Sequence, residues 1–315
     1  MNLKPRFIER MKMLLGNDFE DYLKTLEKPY INSIRCNTLK ISTEELKKRL
    51  EKKWKVMQPF KEHPEIFHII SSLEPGEIGK ALEYSLGYYY VQETSSMMPP
   101  LVINPDENDI VLDIAASPGS KTTQIAAMMN NKGILIANDI KLDRIRILST
   151  NLQRCGVSNC IITQEEGTNL CKKIEKTNFR FNKILVDAPC SGEGTLRTNP
   201  KTAVMFNENL IEKFSKTQKI ILSSALKILS NGGEAVYSTC THAPEENEEV
   251  INYILENFNV KLEEIKLPVK FHHGITEWKG KHYNNEVKKC ARIYPQDNNT
   301  EGFFICKMRK LGEKK

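Results

Sequence analysis

The chain has 315 residues, 40% hydrophobic and 27% charged, with a formal net charge of +6, which fits a soluble globular protein of one large domain or two modest ones and excludes a disordered or fibrous chain. No apolar run is long enough to span a bilayer, and charged residues punctuate Met1 to Met11, so neither a membrane span nor a signal-peptide core is expected. The eight cysteines form no CxxC pair and the six histidines no ligand pattern; no metal is expected, and free thiols point to the cytoplasm.

In chain order, Phe7 to Leu26 carries apolar positions at Met11, Leu14, Leu15, Phe19, Tyr22 and Leu26 and reads as one helix, ended by Pro29. Ser33 to Leu39 reads as a strand. Ser42 is placed to cap a helix over Thr43 to Lys53, with Glu45 completing a capping box. Trp54 to Pro59 and Ile66 to Ile70 read as further strands. Residues 1–93 thus form a small α+β module. Residues 1–60 hold 14 Lys and Arg against 8 Asp and Glu, so the net charge of the whole chain lies there. Such a Lys-rich helix is either a solvated face or an electrostatic footprint for phosphates.

From Thr94 to the end, residues 94–315 alternate strand and helix, the pattern of a doubly wound, mostly parallel sheet. The apolar runs are Ile110 to Asp113, Gly133 to Ala137, Cys160 to Thr163, Lys183 to Val186 and Glu234 to Tyr237. Each ends in polar or reactive residues, which places a site along the carboxyl edge of the sheet. Asn209 to Leu229 is the longest helix, ended by Asn231-Gly232-Gly233, and Glu245 to Phe258 is another, opened by Pro244. Val260 to Ile265 and Gly302 to Met308 supply the last strands. The polar, basic segment Lys266 to Thr300 reads as a loop insertion on the substrate side.

The most informative stretch is Asp113 to Thr122, DIAASPGSKT: a buried strand, a turn at Pro118, Gly119 and Ser120, then a helix. A nucleotide-like ligand meets a helix N-terminus at such a place. A Walker A loop is excluded, because Ser120 precedes Lys121 and Ala115 stands where its first Gly belongs; a dehydrogenase fingerprint needs three spaced glycines and only Gly119 is present. The Asp113 carboxylate and the Lys121 ammonium suit a ligand with both an amino group and a carboxylate, as at the methionine end of S-adenosylmethionine. Asp139, ending the second run, is placed for ribose hydroxyls, and Glu166 for the adenine side.

With these residues the chain resembles the RNA 5-methylcytosine methyltransferases of the NOL1/NOP2/Sun family. DIAASPGSKT resembles that family's cofactor loop. DAPCSG at Asp187 and STCT at Ser238 resemble its paired-cysteine signature. Tyr88 to Pro100, Ser33 to Lys40 and Thr300 to Lys310 resemble its domain-entry, N-terminal and final-strand motifs. Ala115, Ser117 and Ser120 stand where Cys, Ala and Gly are frequent, and Glu166 where Asp is usual. The resemblance implies a Rossmann-like fold with residues 1–93 contacting RNA, and S-adenosylmethionine held by Ala115, Ala116, Ser117, Pro118, Gly119, Ser120, Lys121, Asp139, Arg144, Glu166 and Asp187. It further implies Cys240, Cys190 and Asp187 as catalytic residues and tRNA or rRNA as partner, with tRNA favoured. A monomer is favoured.

Carbon 5 of cytosine is a poor nucleophile; a thiolate added to carbon 6 turns the ring into an enamine-like species that can attack a methyl donor. By resemblance Cys240 is that nucleophile and Cys190 helps release the product. DNA cytosine methyltransferases instead use a Pro-Cys cysteine like Cys190, so chemistry alone leaves the order open. Asp187 can bond the cytosine edge. Cys36, Cys155 and Cys306 read as buried core thiols. The base must leave its stack; Arg197 and Lys201 are candidates for phosphate or base contacts, while Tyr88, Tyr89 and Tyr90 read more readily as core. A noncatalytic RNA-binding assembly factor on the same fold is the alternative, against which the intact cysteines argue. An amino-group methyltransferase would need an aromatic residue where Cys190 stands.

Overall fold

The computed structural model describes residues 3–313. The expected first helix is two. Gly16 takes φ +54, and Gly16–Asp18 form a tight turn between helices Pro5–Leu15 and Phe19–Glu27. The break folds the second helix back, so that Phe7, Met11, Phe19, Tyr22 and Leu26 form one cluster with Leu196, Phe206, Ile211 and Ala243. These helices therefore pack on segments that follow Cys190 and Cys240.

A four-stranded antiparallel sheet comes next, from strands Asn32–Cys36, Val56–Met57, Ile66–Ile69 and Tyr89–Val91. Helix Thr43–Leu50 covers it, burying Leu46 and Leu50 beside Trp54, Phe67 and Tyr89. Ser42 caps this helix by accepting the Glu45 N–H. The Glu45 carboxylate accepts from Arg49 rather than closing the capping box. Tyr89 lies in the core and its hydroxyl donates to the Ile78 carbonyl. Buried Arg35 leaves this sheet to donate to the Gln92 side chain at 2.6 Å, the Ser120 carbonyl at 2.8 Å and the Thr123 hydroxyl at 2.8 Å. The small sheet is thereby fastened to the helix that starts behind the 113–122 loop.

The main sheet has nine strands. Its parallel part runs, in spatial order, Cys160–Gln164, Ile134–Asp139, Ile110–Asp113, Phe181–Asp187, Leu229–Thr239. Strands covered on both faces read as unbroken apolar runs, and Ile184, Leu185 and Val186 are all fully buried. Strand order reverses at Ile110–Asp113, so the loops after Asp113 and Asp187 part at a topological switch point. The last strand, Phe303–Lys310, runs antiparallel to Leu229–Thr239.

Three further features differ from the expectation. The long helix Glu208–Ile228 passes directly into the strand, which already includes Asn231-Gly232-Gly233. The next helix begins at Glu248, because residues 244–247 form a turn beside the cysteines. Segment 266–300 is not a loop: Ala291–Ile293 pairs with Phe303–Lys310, and His272–His273 pairs with Ala291–Ile293. Apolar side chains Trp278, Val287 and Cys290, spaced among its lysines, bury into the main core. Among the described residues no helix is long and apolar enough to cross a membrane, and no cluster of His, Cys, Asp or Glu could hold a metal ion.

Candidate active site

A cleft of about 560 Å³ opens at the carboxyl edge of the parallel strands, within the size range of small-molecule sites. Ala115, Ser117, Asp139, Arg144, Glu166 and Asp187 line it, as do Cys190 and Cys240. Ile114, Ile140, Pro189 and Ile221 supply apolar walls that composition did not single out. The cleft thus combines apolar surface for a nucleoside with carboxylates for a cationic sulfonium and ammonium, and its residues fit S-adenosylmethionine.

Asp139 is buried at the end of its strand. Its carboxylate accepts from the Ser117 N–H at 3.2 Å and from Arg144 Nε at 3.0 Å, while Arg144 also donates to the Ser117 carbonyl at 2.8 Å. The two residues fix the turn of the 113–122 loop from below. Glu166 caps helix Gly167–Glu175 by accepting from the Thr168 and Asn169 N–H groups. Ala116, Pro118, Gly119, Ser120 and Lys121, expected to hold cofactor, do not line the cleft. Ser120 and Lys121 instead open helix Ser120–Met128, and Gly119 takes φ +103 against Leu148 at the helix start.

Lys121 is the clearest departure. Its ammonium pairs with the Asp187 carboxylate at 2.8 Å and donates to the Ser96 hydroxyl at 2.9 Å. It faces the second half of the site rather than a ligand carboxylate in the cofactor loop. The other Asp187 oxygen accepts from the Ser238 hydroxyl at 2.7 Å, so Asp187 is held by the start of helix Ser120–Met128 on one side and by the neighbouring strand Leu229–Thr239 on the other. Asp113 is buried, accepts from Thr122, and is pushed up to about 7 by burial with a further rise from the Asp187 charge.

Cys190 and Cys240 come from different loops, yet their sulfurs lie 3.3 Å apart. Both are half-buried, whereas Cys36, Cys155 and Cys306 are core thiols. The Cys190 thiol is raised well above the usual thiol range, first by its hydrogen bond to the Cys240 sulfur and then by burial. The Gly194 N–H donates to the Cys240 carbonyl at 2.9 Å, and a Cβ at Gly194 would meet that oxygen and the Gly302 carbonyl. Only glycine lets the two loops approach so closely.

Two buried carboxyls beneath the cysteines were not singled out in the sequence. Burial, with a smaller rise from Glu245, pushes Glu246 up to about 7. Burial and the charges of Glu246 and Glu245 push Glu193 up to about 8, against the pull of Arg10. In the sequence Glu246 shows only as part of an acidic run after STCT that resembles an ordinary helix start, and Glu193 only as the acid between two glycines after DAPCS. Of the expected RNA contacts, Lys201 is exposed at the start of helix Lys201–Met205. Arg197 is occupied elsewhere: its guanidinium donates to the Thr300 and Pro29 carbonyls and to Asn299, and stacks over Tyr30.

Residues 100–309 match the family model described as 16S rRNA methyltransferase RsmB/F, and residues 3–94 match that of the N-terminal domain of 16S rRNA methyltransferase RsmF. The chain is 43% identical over 308 residues to a tRNA (cytosine(49)-C(5))-methyltransferase of Pyrococcus abyssi, covering 98% of this chain and 96% of that one. It is 37% identical over 312 residues to ribosomal RNA small subunit methyltransferase F of Vibrio campbellii, covering 97% of this chain and 63% of that protein. Among solved structures, NSun6 from Pyrococcus horikoshii with SFG, an analogue of S-adenosylmethionine, superposes with a TM-score of 0.84 at 26% identity, over 98% of this chain and 99% of that one.

Proposed function

The chain belongs to the 16S rRNA methyltransferase RsmB/F family, SAM-dependent RNA methyltransferases, and from that premise we propose that it methylates carbon 5 of cytosine in RNA through a covalent Cys240–C6 adduct. The observation that carries this reading is the pair of sulfurs 3.3 Å apart on the wall of the cofactor cleft, beside Asp187. A single thiol would suffice to attack; a second one in contact suits a reaction in which the first must also leave. The same pair argues against a noncatalytic assembly factor, which has no use for it.

Asp139, Arg144, Ser117, Ala115, Glu166 and Asp187 would hold the cofactor. When bound, S-adenosylmethionine supplies a sulfonium methyl group that an electron-rich carbon 5 can attack. Asp187, braced by Lys121 and Ser238, accepts from the exocyclic amino group of a cytosine and sets the ring over the cysteines. The hydrogen bond between the sulfurs supports the division of roles. The contact and burial hold Cys190 as a thiol, which leaves Cys240 as the attacking sulfur in this scheme. The Cys240 sulfur adds to C6, and the electrons of the C5=C6 bond move to C5. Once Cys240 is bonded to carbon its charge no longer raises Cys190. Cys190 can then give its proton to water in the cleft, and the thiolate so formed takes the C5 hydrogen as a proton. The C5–H electrons rebuild the C5=C6 bond, and the S–C6 pair returns to Cys240.

A tRNA is favoured over rRNA by the identity of 43% to the tRNA enzyme against 37% to the rRNA enzyme. Bisulfite sequencing of cellular RNA with and without this protein tests both parts. The expected result is a cytosine in tRNA that loses protection when the protein is absent. Unchanged protection throughout tRNA and rRNA would refute the activity, and a change confined to rRNA would refute the substrate.

A further inference from the structure

The adjacent residues Glu246 and Asn247 are both fully buried in the turn that follows the second cysteine. Each spends its side chain on a different cysteine loop. The Glu246 carboxylate accepts from the Ser191 N–H at 3.0 Å and from Gln218 Nε2 at 2.8 Å, and Gln218 Nε2 also donates to the Pro189 carbonyl at 2.9 Å. Glu246 and Gln218 therefore grip the residues on either side of Cys190. Asn247 does the same for Cys240: its Oδ1 accepts from the Thr239 hydroxyl at 2.6 Å, and its Nδ2 donates to the Thr241 carbonyl at 3.0 Å. The Ser191 and Thr241 hydroxyls then join the two loops directly at 2.8 Å.

We propose that Glu246 and Asn247 are a pair of positioning residues that act on separate steps of the reaction, Asn247 aligning Cys240 for attack and Glu246 aligning Cys190 for release. The inference rests on the roles given to the cysteines above. Neither side chain lines the cleft; each acts through the residues next to a sulfur. A dipeptide has a fixed span, so placing both grips on neighbouring residues sets the distance between the loops as well as the aim of each. Orientation is where such an arrangement matters most, since a misplacement of about 1 Å at a reacting atom costs on the order of a hundredfold in rate. A buried carboxylate and amide with all these partners would be an expensive way merely to fill space.

The test uses the full chain with S-adenosylmethionine and two RNA probes. RNA containing 5-azacytidine traps the adduct and reports the rate of attack. Unmodified RNA reports how much adduct accumulates when release is slow. Asn247→Ala should slow adduct formation by roughly a hundredfold without accumulation on unmodified RNA. Glu246→Ala should form adduct at the wild-type rate and accumulate it, and Glu246→Gln, which keeps an acceptor for both donors, should restore release. Thermal unfolding and S-adenosylmethionine affinity establish that each variant is folded. Should one fail to fold, Thr239→Val releases the Cys240 grip and Gln218→Ala the Cys190 grip, with the same expectations. Equal slowing of both steps by both variants, or no change in either, would overturn the inference. Cys240→Ala and Cys190→Ala run alongside: an adduct formed by Cys240→Ala would instead sink the cysteine assignment itself, leaving the two failures distinguishable.

Discussion

Replacing Asp139 with Asn keeps its size and removes its charge. In the folded chain the carboxylate accepts from Arg144 Nε at 3.0 Å and the Ser117 N–H at 3.2 Å. Arg144 Nε bonds both carboxylate oxygens at 3.0 Å, so the NH2 of an amide faces the guanidinium, donor against donor, even when the amide oxygen keeps the Ser117 N–H. One charge-assisted hydrogen bond is lost, and a buried group is left unsatisfied, a loss of about 1.5–3 kcal/mol. Arg144 is half exposed and turns to water, which releases the carbonyl of buried Ser117 that it had held at 2.8 Å. The loss therefore falls on the order of the cofactor loop, and S-adenosylmethionine affinity should drop by roughly ten- to a hundredfold. Calorimetric titration of the variant, after its unfolding temperature has been matched to wild type, measures this. Affinity within twofold of wild type would refute the reasoning and remove Asp139 from the site.

Cys190→Ala should still attack RNA but release it slowly; denaturing gels should show a protein–RNA adduct on unmodified RNA, and normal turnover would contradict the role. Glu193 is raised from 4.5 to about 8 in the folded chain, so its contribution to stability is full below pH 4.5 and is lost as the pH rises through about 8. Glu193→Gln should accordingly flatten the fall in unfolding free energy between those limits, by an amount on the order of a few kcal/mol at the alkaline end; parallel pH profiles would show that Glu193 titrates normally. RNA binding should weaken steeply with salt, and Lys48→Gln with Lys52→Gln should lower the log–log slope by roughly 0.7–0.9 for each phosphate contact removed, leaving S-adenosylmethionine affinity unchanged. A wild-type slope would mean that helix Thr43–Leu50 presents only a solvated face.

The parallel strands were legible because residues buried on both faces leave unbroken apolar runs closed by polar residues. The cysteine pair was legible for the same reason: Cys190 and Cys240 each follow such a run. What the sequence hid was direction and distance. Lys121 belongs to the loop by position, but a helix beginning at Ser120 turns its side chain toward Asp187. Arg197 follows the DAPC loop, yet the folding back of the N-terminal helices brings the Pro29 carbonyl onto it. Segment 266–300 is too polar on average to read as core; its strands are short, and the one that joins them to the main sheet, Ala291–Ile293, pairs with the final strand. Glu246 and Asn247 look like a helix start until the turn before Glu248 is seen to lie under both cysteines.

The central claim is that Cys240 attacks and Cys190 does not. Wild-type protein trapped on 5-azacytidine RNA in the presence of S-adenosylmethionine, then digested and sequenced by mass spectrometry, reports which sulfur carries the nucleotide. The nucleotide is expected on the peptide containing Cys240, with the Cys190 peptide unmodified; a nucleotide on Cys190 would reverse the roles of the two cysteines.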